Sequence, residues 1–111
     1  MNLGFIGTGN IVSDVVIGIS KSKIRYKKII ISPRNKKKAL YLKKNFKKTI
    51  IAKNNQEVIN KSDWVFLGVI PKVGEAILPK LQFRNKQIIV SFLSTTNYSK
   101  LKKLIRTKSV I

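Results

Sequence analysis

Apolar and polar positions along this chain follow two rhythms in turn. Short continuous apolar runs, the mark of strands buried on both faces, are separated by stretches whose apolar residues recur at three- and four-residue spacing, the mark of helices packed on one side. The strand-like runs are that of Leu3, Phe5 and Ile6 before Gly7, then Lys28–Ser32, Lys48–Ala52, Asp63–Gly68 and Gln87–Phe92. After the first, Ile11, Val12, Val15, Val16 and Ile19 predict an amphipathic helix that ends by Lys21–Lys23, with Asn10 or Ser13 at its start and Gly18 placed for close packing. Asn35–Phe46 carries Ala39, Leu40, Leu42 or Lys43, and Phe46 among lysines, as a surface helix does. A short helix follows through Ile59, capped by Asn54 or Asn55, and Val73, Ala76, Ile77 and Leu81 mark another, interrupted near Pro79. Tyr98, Leu101, Leu104 and Ile105 predict a last helix from about Asn97, and Ser109–Ile111 reads as the opening of a sixth strand.

Strands alternating with helices at this spacing predict right-handed βαβ units and an α/β fold, a doubly wound parallel sheet. Such sheets bind ligands at the carboxyl ends of their strands, which directs attention to residues 7–10, 32–35, 68–72 and 92–96. The first of these windows has chemistry of its own. Gly7-Thr8-Gly9 lies between a strand and a helix start, the arrangement that binds a dinucleotide pyrophosphate. Gly7 permits the sharp exit from the strand, Gly9 lets backbone approach phosphate, and the free amides and positive dipole end of the helix face the anion.

Composition narrows the remaining choices. In 111 residues there is room for one small domain, and 43% apolar residues suffice for a core. The absence of cysteine and histidine removes disulfides, thiolate metal sites, thiol catalysis and the commonest general base. The four acids, Asp14, Glu57, Asp63 and Glu75, are scattered and form no paired-carboxylate or metal-binding pattern. The formal charge of +20 invites a nucleic-acid reading. Against it, the basic residues are spread along the chain and are mostly lysine rather than the arginine favoured by base-edge readers. The expected consequence is salt-sensitive, non-specific adhesion to polyanions, with no specific nucleic-acid partner. No apolar stretch reaches the length of a membrane span and no signal peptide is visible, so a cytoplasmic protein without a membrane partner is expected.

The end of the second strand selects among dinucleotides. An NAD site places Asp or Glu there to grip the ribose hydroxyls, whereas this chain has Ser32-Pro33-Arg34-Asn35 followed by three lysines. A hydroxyl and a guanidinium suit a 2′-phosphate, which favours NADP(H), with NAD(H) as the second choice; an ordinary Ser-Pro turn with a solvated arginine is the plainer alternative.

Together, Gly4 through Ile11, Ile31-Ser32-Pro33-Arg34, the run from Asp63 to Pro71, and Val90-Ser91-Phe92 resemble the amino-terminal domain of pyrroline-5-carboxylate reductase, across essentially the whole chain. The Gly-x-Gly-Asn element is shared with related β-hydroxyacid dehydrogenases. The resemblance implies a Rossmann-like NADP-binding domain spanning residues 1–111 of an NAD(P)H-dependent imine reductase. That family reduces the cyclic imine 1-pyrroline-5-carboxylate to proline, the last step of proline synthesis. By position, it implies that Gly7, Thr8, Gly9, Asn10 and Ile11 line the pyrophosphate and that Ser32 and Arg34 hold the 2′-phosphate. Val69 and Pro71 would lie along the ribose and nicotinamide, and Ser91 and Ser94 would approach the nicotinamide.

Three departures accompany the likeness. Val12 stands where the family has a small residue, Ile70 and Lys72 flank the proline where lysine usually precedes it, and Leu93-Ser94-Thr95-Thr96 replaces a glycine-containing turn. The family's helical carboxy-terminal domain, which forms its homo-oligomer and contacts the imine, has no counterpart here, so the chain is expected to be a fragment that binds cofactor without turnover. No residue is assigned a catalytic or metal-binding role. A non-catalytic nucleotide-binding module and, less favoured, a basic nucleic-acid-binding protein are the competing readings.

Overall fold

Ile29, Ile30 and Ile31, three β-branched residues in succession, are all buried and form the heart of a strand covered on both faces. The computed structural model describes residues 1–92 apart from Thr8, Ile70 and the side chain of Pro71. Within them it has β1 (Asn2–Ile6), α1 (Asn10–Lys21), β2 (Lys28–Ile31), α2 (Lys36–Asn45), β3 (Thr49–Ile51), α3 (Asn55–Asn60), β4 (Trp64–Leu67), α4 (Pro71–Ile77), a 3₁₀ turn (Leu78–Lys80) and β5 (Ile88–Ser91). The helix expected from about Asn97, the turn at 93–96 and the strand at 109–111 lie outside the described residues.

The five strands form one parallel sheet in the order β3-β2-β1-β4-β5, which is the doubly wound arrangement the alternation predicts. The reversal between β1 and β4 opens a crevice beyond their carboxyl ends. One face carries Leu3, Phe5, Ile29 and Ile31 against Val12 and Val16 of α1 and Ala39 and Leu42 of α2. The other carries Ile6, Ile30, Val65, Leu67 and Ile89 against Val58 and Ile59 of α3 and Leu78. Phe5 and Phe66 stack at 4.6 Å across β1 and β4, joining the two halves at the switch point. Among the described residues no helix is long and apolar enough to cross a membrane.

Four local expectations are corrected. Neither Asn10 nor Ser13 caps α1; the cap position is Gly9, with no side-chain cap hydrogen bond. The apolar stripe of α1 runs through Val12 and Val16 with Val15 and Ile19 beside it, whereas Ile11, in the first turn and outside that cluster, is 59% exposed. Gly18 is exposed and a methyl group there would meet nothing within 4 Å, so it serves no close contact. On α2 the buried row is Ala39, Leu42 and, partly, Phe46, which leaves Leu40 outside. Asn54 is the α3 cap and accepts from the Glu57 amide at 2.9 Å. The break near Pro79 is a change from α to 3₁₀ geometry.

Candidate dinucleotide site

A cleft of about 500 Å³ lies beyond the carboxyl ends of β1, β2 and β4. Its floor is glycine for steric reasons. Gly7, the residue after β1, has φ +97°, a region that side chains disfavour, and a Cβ there would stand 2.9 Å from the carbonyl oxygen of Gly68. Gly68 follows β4 and donates its amide to the Ile6 carbonyl at 2.9 Å, so the two glycines lie edge to edge at the switch point. Gly9 is different. It has ordinary extended geometry, and a Cβ there would meet nothing within 4 Å. Its side-chain position is open cleft at the amino end of a twelve-residue helix with no side-chain cap, where backbone amides and the helix dipole favour an anion.

The wall on the β2 side is cationic. Arg34, Asn35 and Lys36 line the cleft together with Gly7 and Gly9. The turn is rigidly built: Ser32 donates its amide to the Phe5 carbonyl, Pro33 fixes the chain, and the Asn35 side chain accepts from the Lys38 amide to start α2. The Lys38 ammonium donates to Asn10 Oδ1, tying the first turn of α2 to that of α1. Val69 and Val73 supply an apolar wall on the β4 side. Among the described residues that line the cleft there is no carboxylate, and no His/Cys/Asp/Glu cluster able to hold a metal occurs among the described residues.

Of the residues singled out from sequence, Gly7, Gly9, Arg34 and Val69 meet on this cleft. Ser32, Asn10, Ile11 and Ser91 are not among its lining residues. Ser32 is 2% exposed and its hydroxyl donates to Asn55 Oδ1 at 2.9 Å, so it braces the turn against α3 rather than facing the cleft. Asn10 is engaged by Lys38, Ile11 points outward, and Ser91 ends β5 opposite Leu67 without lining the cleft. Pro71 opens α4, and Thr8 and Ser94 lie outside the described residues. Lys36 and Val73 line the cleft without having been singled out, and Asn35 and Gly68 fell in the expected windows without a role. The lysine run after Arg34 was the available signal for Lys36. In the sequence Val73 is one of the apolar positions that mark its helix.

Known proteins sharpen this picture. A family model described as NADP oxidoreductase, coenzyme F420-dependent, matches residues 2–95. Among solved structures, a 1-pyrroline-5-carboxylate reductase from Streptococcus pyogenes is 28% identical, with a TM-score of 0.77 over 94% of this chain and 38% of its own. One from Coxiella burnetii is 19% identical with a TM-score of 0.82 over 94% and 39%. A pyrroline carboxylate reductase from Plasmodium falciparum, solved with NADP bound, is 21% identical with a TM-score of 0.78 over 95% and 38%. The chain thus spans about two fifths of the length of these relatives. None of the curated proteins matches it.

Proposed function

This chain belongs to the family described as NADP oxidoreductase, coenzyme F420-dependent, an NADP-binding domain, and on that premise we propose that its cleft seats NADP(H) for an oxidoreductase of the pyrroline-5-carboxylate reductase kind. The observation that carries the proposal is the meeting of Gly7, Gly9 and Arg34 on one cleft with no carboxylate in its described lining. The open space at Gly9 and the uncapped first turn of α1 suit the pyrophosphate, and Arg34 with Lys36 suits the 2′-phosphate. Val69 and Val73 offer apolar contact on the β4 side, towards the nicotinamide. The bound dinucleotide supplies the hydride, and the chain's own residues hold and orient it.

Reduction of a cyclic imine to proline, in proline synthesis in the cytoplasm, is the proposed setting. Homo-oligomer formation and imine recognition are assigned to the part of the relatives that this chain does not span. For the 111 residues themselves, cofactor binding without turnover is proposed, because orientation of two bound reactants supplies much of such a rate.

Fluorescence titration with NADPH and NADH tests the assignment. Arg34→Glu is expected to weaken NADPH at least about tenfold, the scale of one charge-assisted contact, while changing NADH little. Equal losses for both would remove the 2′-phosphate role. Steep salt dependence without preference between the nucleotides would favour the polyanion reading instead.

A further inference from the structure

The motif that opens the cleft has a third position, Val12, where close packing of helix on strand ordinarily calls for a residue with little or no side chain. Val12 is nevertheless fully buried, in the first turn and a half of α1. The space it occupies is supplied from the opposite element. A Cβ built on Gly68 would fall 2.0 Å from Val12 Cγ2 and 3.5 Å from its Cβ. Valine in a helix is held to essentially one χ1 rotamer, so the methyl group cannot swing aside. The neighbour on the other side is backbone: Gly68 packs against Gly7, whose own missing Cβ would strike the Gly68 carbonyl. Among the described residues Val12 is thus the one close contact that forbids a side chain at Gly68, while the Gly68 carbonyl in turn forbids one at Gly7; Gly68 also lines the cleft.

We propose that Val12 and Gly68 are a size-complementary pair that sets the position of the α1 amino terminus over the strand ends, making Gly68 a positioning residue for the pyrophosphate-binding amides. The large residue has moved onto the helix and the small one onto the strand. The inference rests on the NADP(H) reading for what those amides hold, and on sterics alone for the pairing. A methyl group at Gly68 lifts the start of α1 away from β4 and moves Gly9 and the first-turn amides relative to Arg34, which sits on a different turn. Ligands spanning both ends of the cleft lose more than ligands held only at the Arg34 end.

The test is a double-mutant cycle on the 111-residue chain with Gly68→Ala, Val12→Ala and the two combined. Thermal unfolding and titration with NADPH and adenosine 2′-monophosphate are the readouts. With Val12 present, Gly68→Ala is expected to lower Tm by roughly 5–15 °C, the range for overpacking a tight core in a domain of this size. In the Val12→Ala background the same change fills the vacated space, so Tm is unchanged or rises; this reversal of sign is the signature of the pair. Gly68→Ala is expected to weaken NADPH about tenfold or more while adenosine 2′-monophosphate changes less than twofold, and the double variant recovers NADPH affinity. The double variant and Val12→Ala keep the cycle readable if Gly68→Ala alone folds poorly.

An equal cost of Gly68→Ala in both backgrounds overturns the pairing. Parallel loss of both ligands reduces Gly68 to general stability and overturns its positioning role. Should the wild-type chain bind neither ligand, the NADP(H) reading falls and the positioning role with it, even where the reversal in Tm appears. Should it bind both while the reversal is missing, the pair alone falls.

Discussion

Gly7 and Gly9 occupy one tripeptide turn for opposite reasons. At Gly7 the backbone itself demands glycine, through φ +97° and a carbonyl 2.9 Å from where a Cβ would sit. Gly7→Ala is therefore expected to destabilise the chain by about 1–3 kcal/mol, from left-handed strain together with the contact at Gly68, measured as a fall in the urea midpoint. At Gly9 nothing in the protein forbids a side chain, since φ is −76° and the Cβ position is open. Gly9→Ser is expected to do the reverse to stability: a serine hydroxyl caps the uncapped first turn and the unfolded chain loses freedom, for a gain of a few tenths to about 1 kcal/mol. The same hydroxyl occupies the space proposed for the pyrophosphate, so NADPH affinity falls as Tm rises. Parallel rise or parallel fall of the two would show that the first turn of α1 does not face the ligand.

At the scale of elements, the start of each helix decides how the strand before it is used. α3 begins on Asn54, which accepts from the Glu57 amide, while Glu57 reaches back to accept from the Lys53 amide at 3.1 Å. Both side chains serve the helix end itself, leaving Asn55 to hold Ser32. Asn54→Ala is expected to cost about 1 kcal/mol, a Tm fall of roughly 4–8 °C, without altering the preference of NADPH over NADH. The α3 start was legible in the sequence, where Asn54 or Asn55 precedes an apolar period, and the helix from Asn35 was legible without its cap. The start of α1 was not, because its cap is a glycine and the neighbouring Asn10 and Ser13 carry the usual capping chemistry without using it. The strands were legible because runs such as Ile29–Ile31 admit little else in a sheet covered on both sides. The windows after them located Arg34, Val69 and the two glycines of the turn. What escaped was contact between windows: the burial of Ser32 against Asn55, and the seat that Gly68 makes for Val12, depend on spatial neighbours far apart in sequence.

The described residues divide their charge unevenly. Residues 21–48 hold thirteen of the 24 basic side chains and no acidic one, whereas residues 49–92 hold six basic and three acidic ones. Nine of the thirteen, from Lys28 to Lys48, lie on β2, α2 and the segments that join them to each other and to β3, on the β3 side of β1, where the Lys48 ammonium also sits 5.0 Å from the Tyr26 ring centre. Arg34 and Lys36 are the part of this half that reaches the cleft. A dinucleotide phosphate carries several negative charges, and an excess of positive charge beside the cleft speeds its encounter more than it tightens the final complex. Replacing Lys43, Lys44 and Lys47, all outside the cleft, with glutamate is expected to slow NADPH association severalfold at low salt and leave its dissociation rate nearly unchanged. By about 0.5 M salt the difference should vanish, as the screening length falls below the distance from these lysines to the ligand. The same three-fold reversal at Lys53, Lys80 and Lys86, on the other half, changes net charge equally and is expected to slow association less. Stopped-flow rates that respond alike to the two triple variants would mean that net charge matters and its distribution does not.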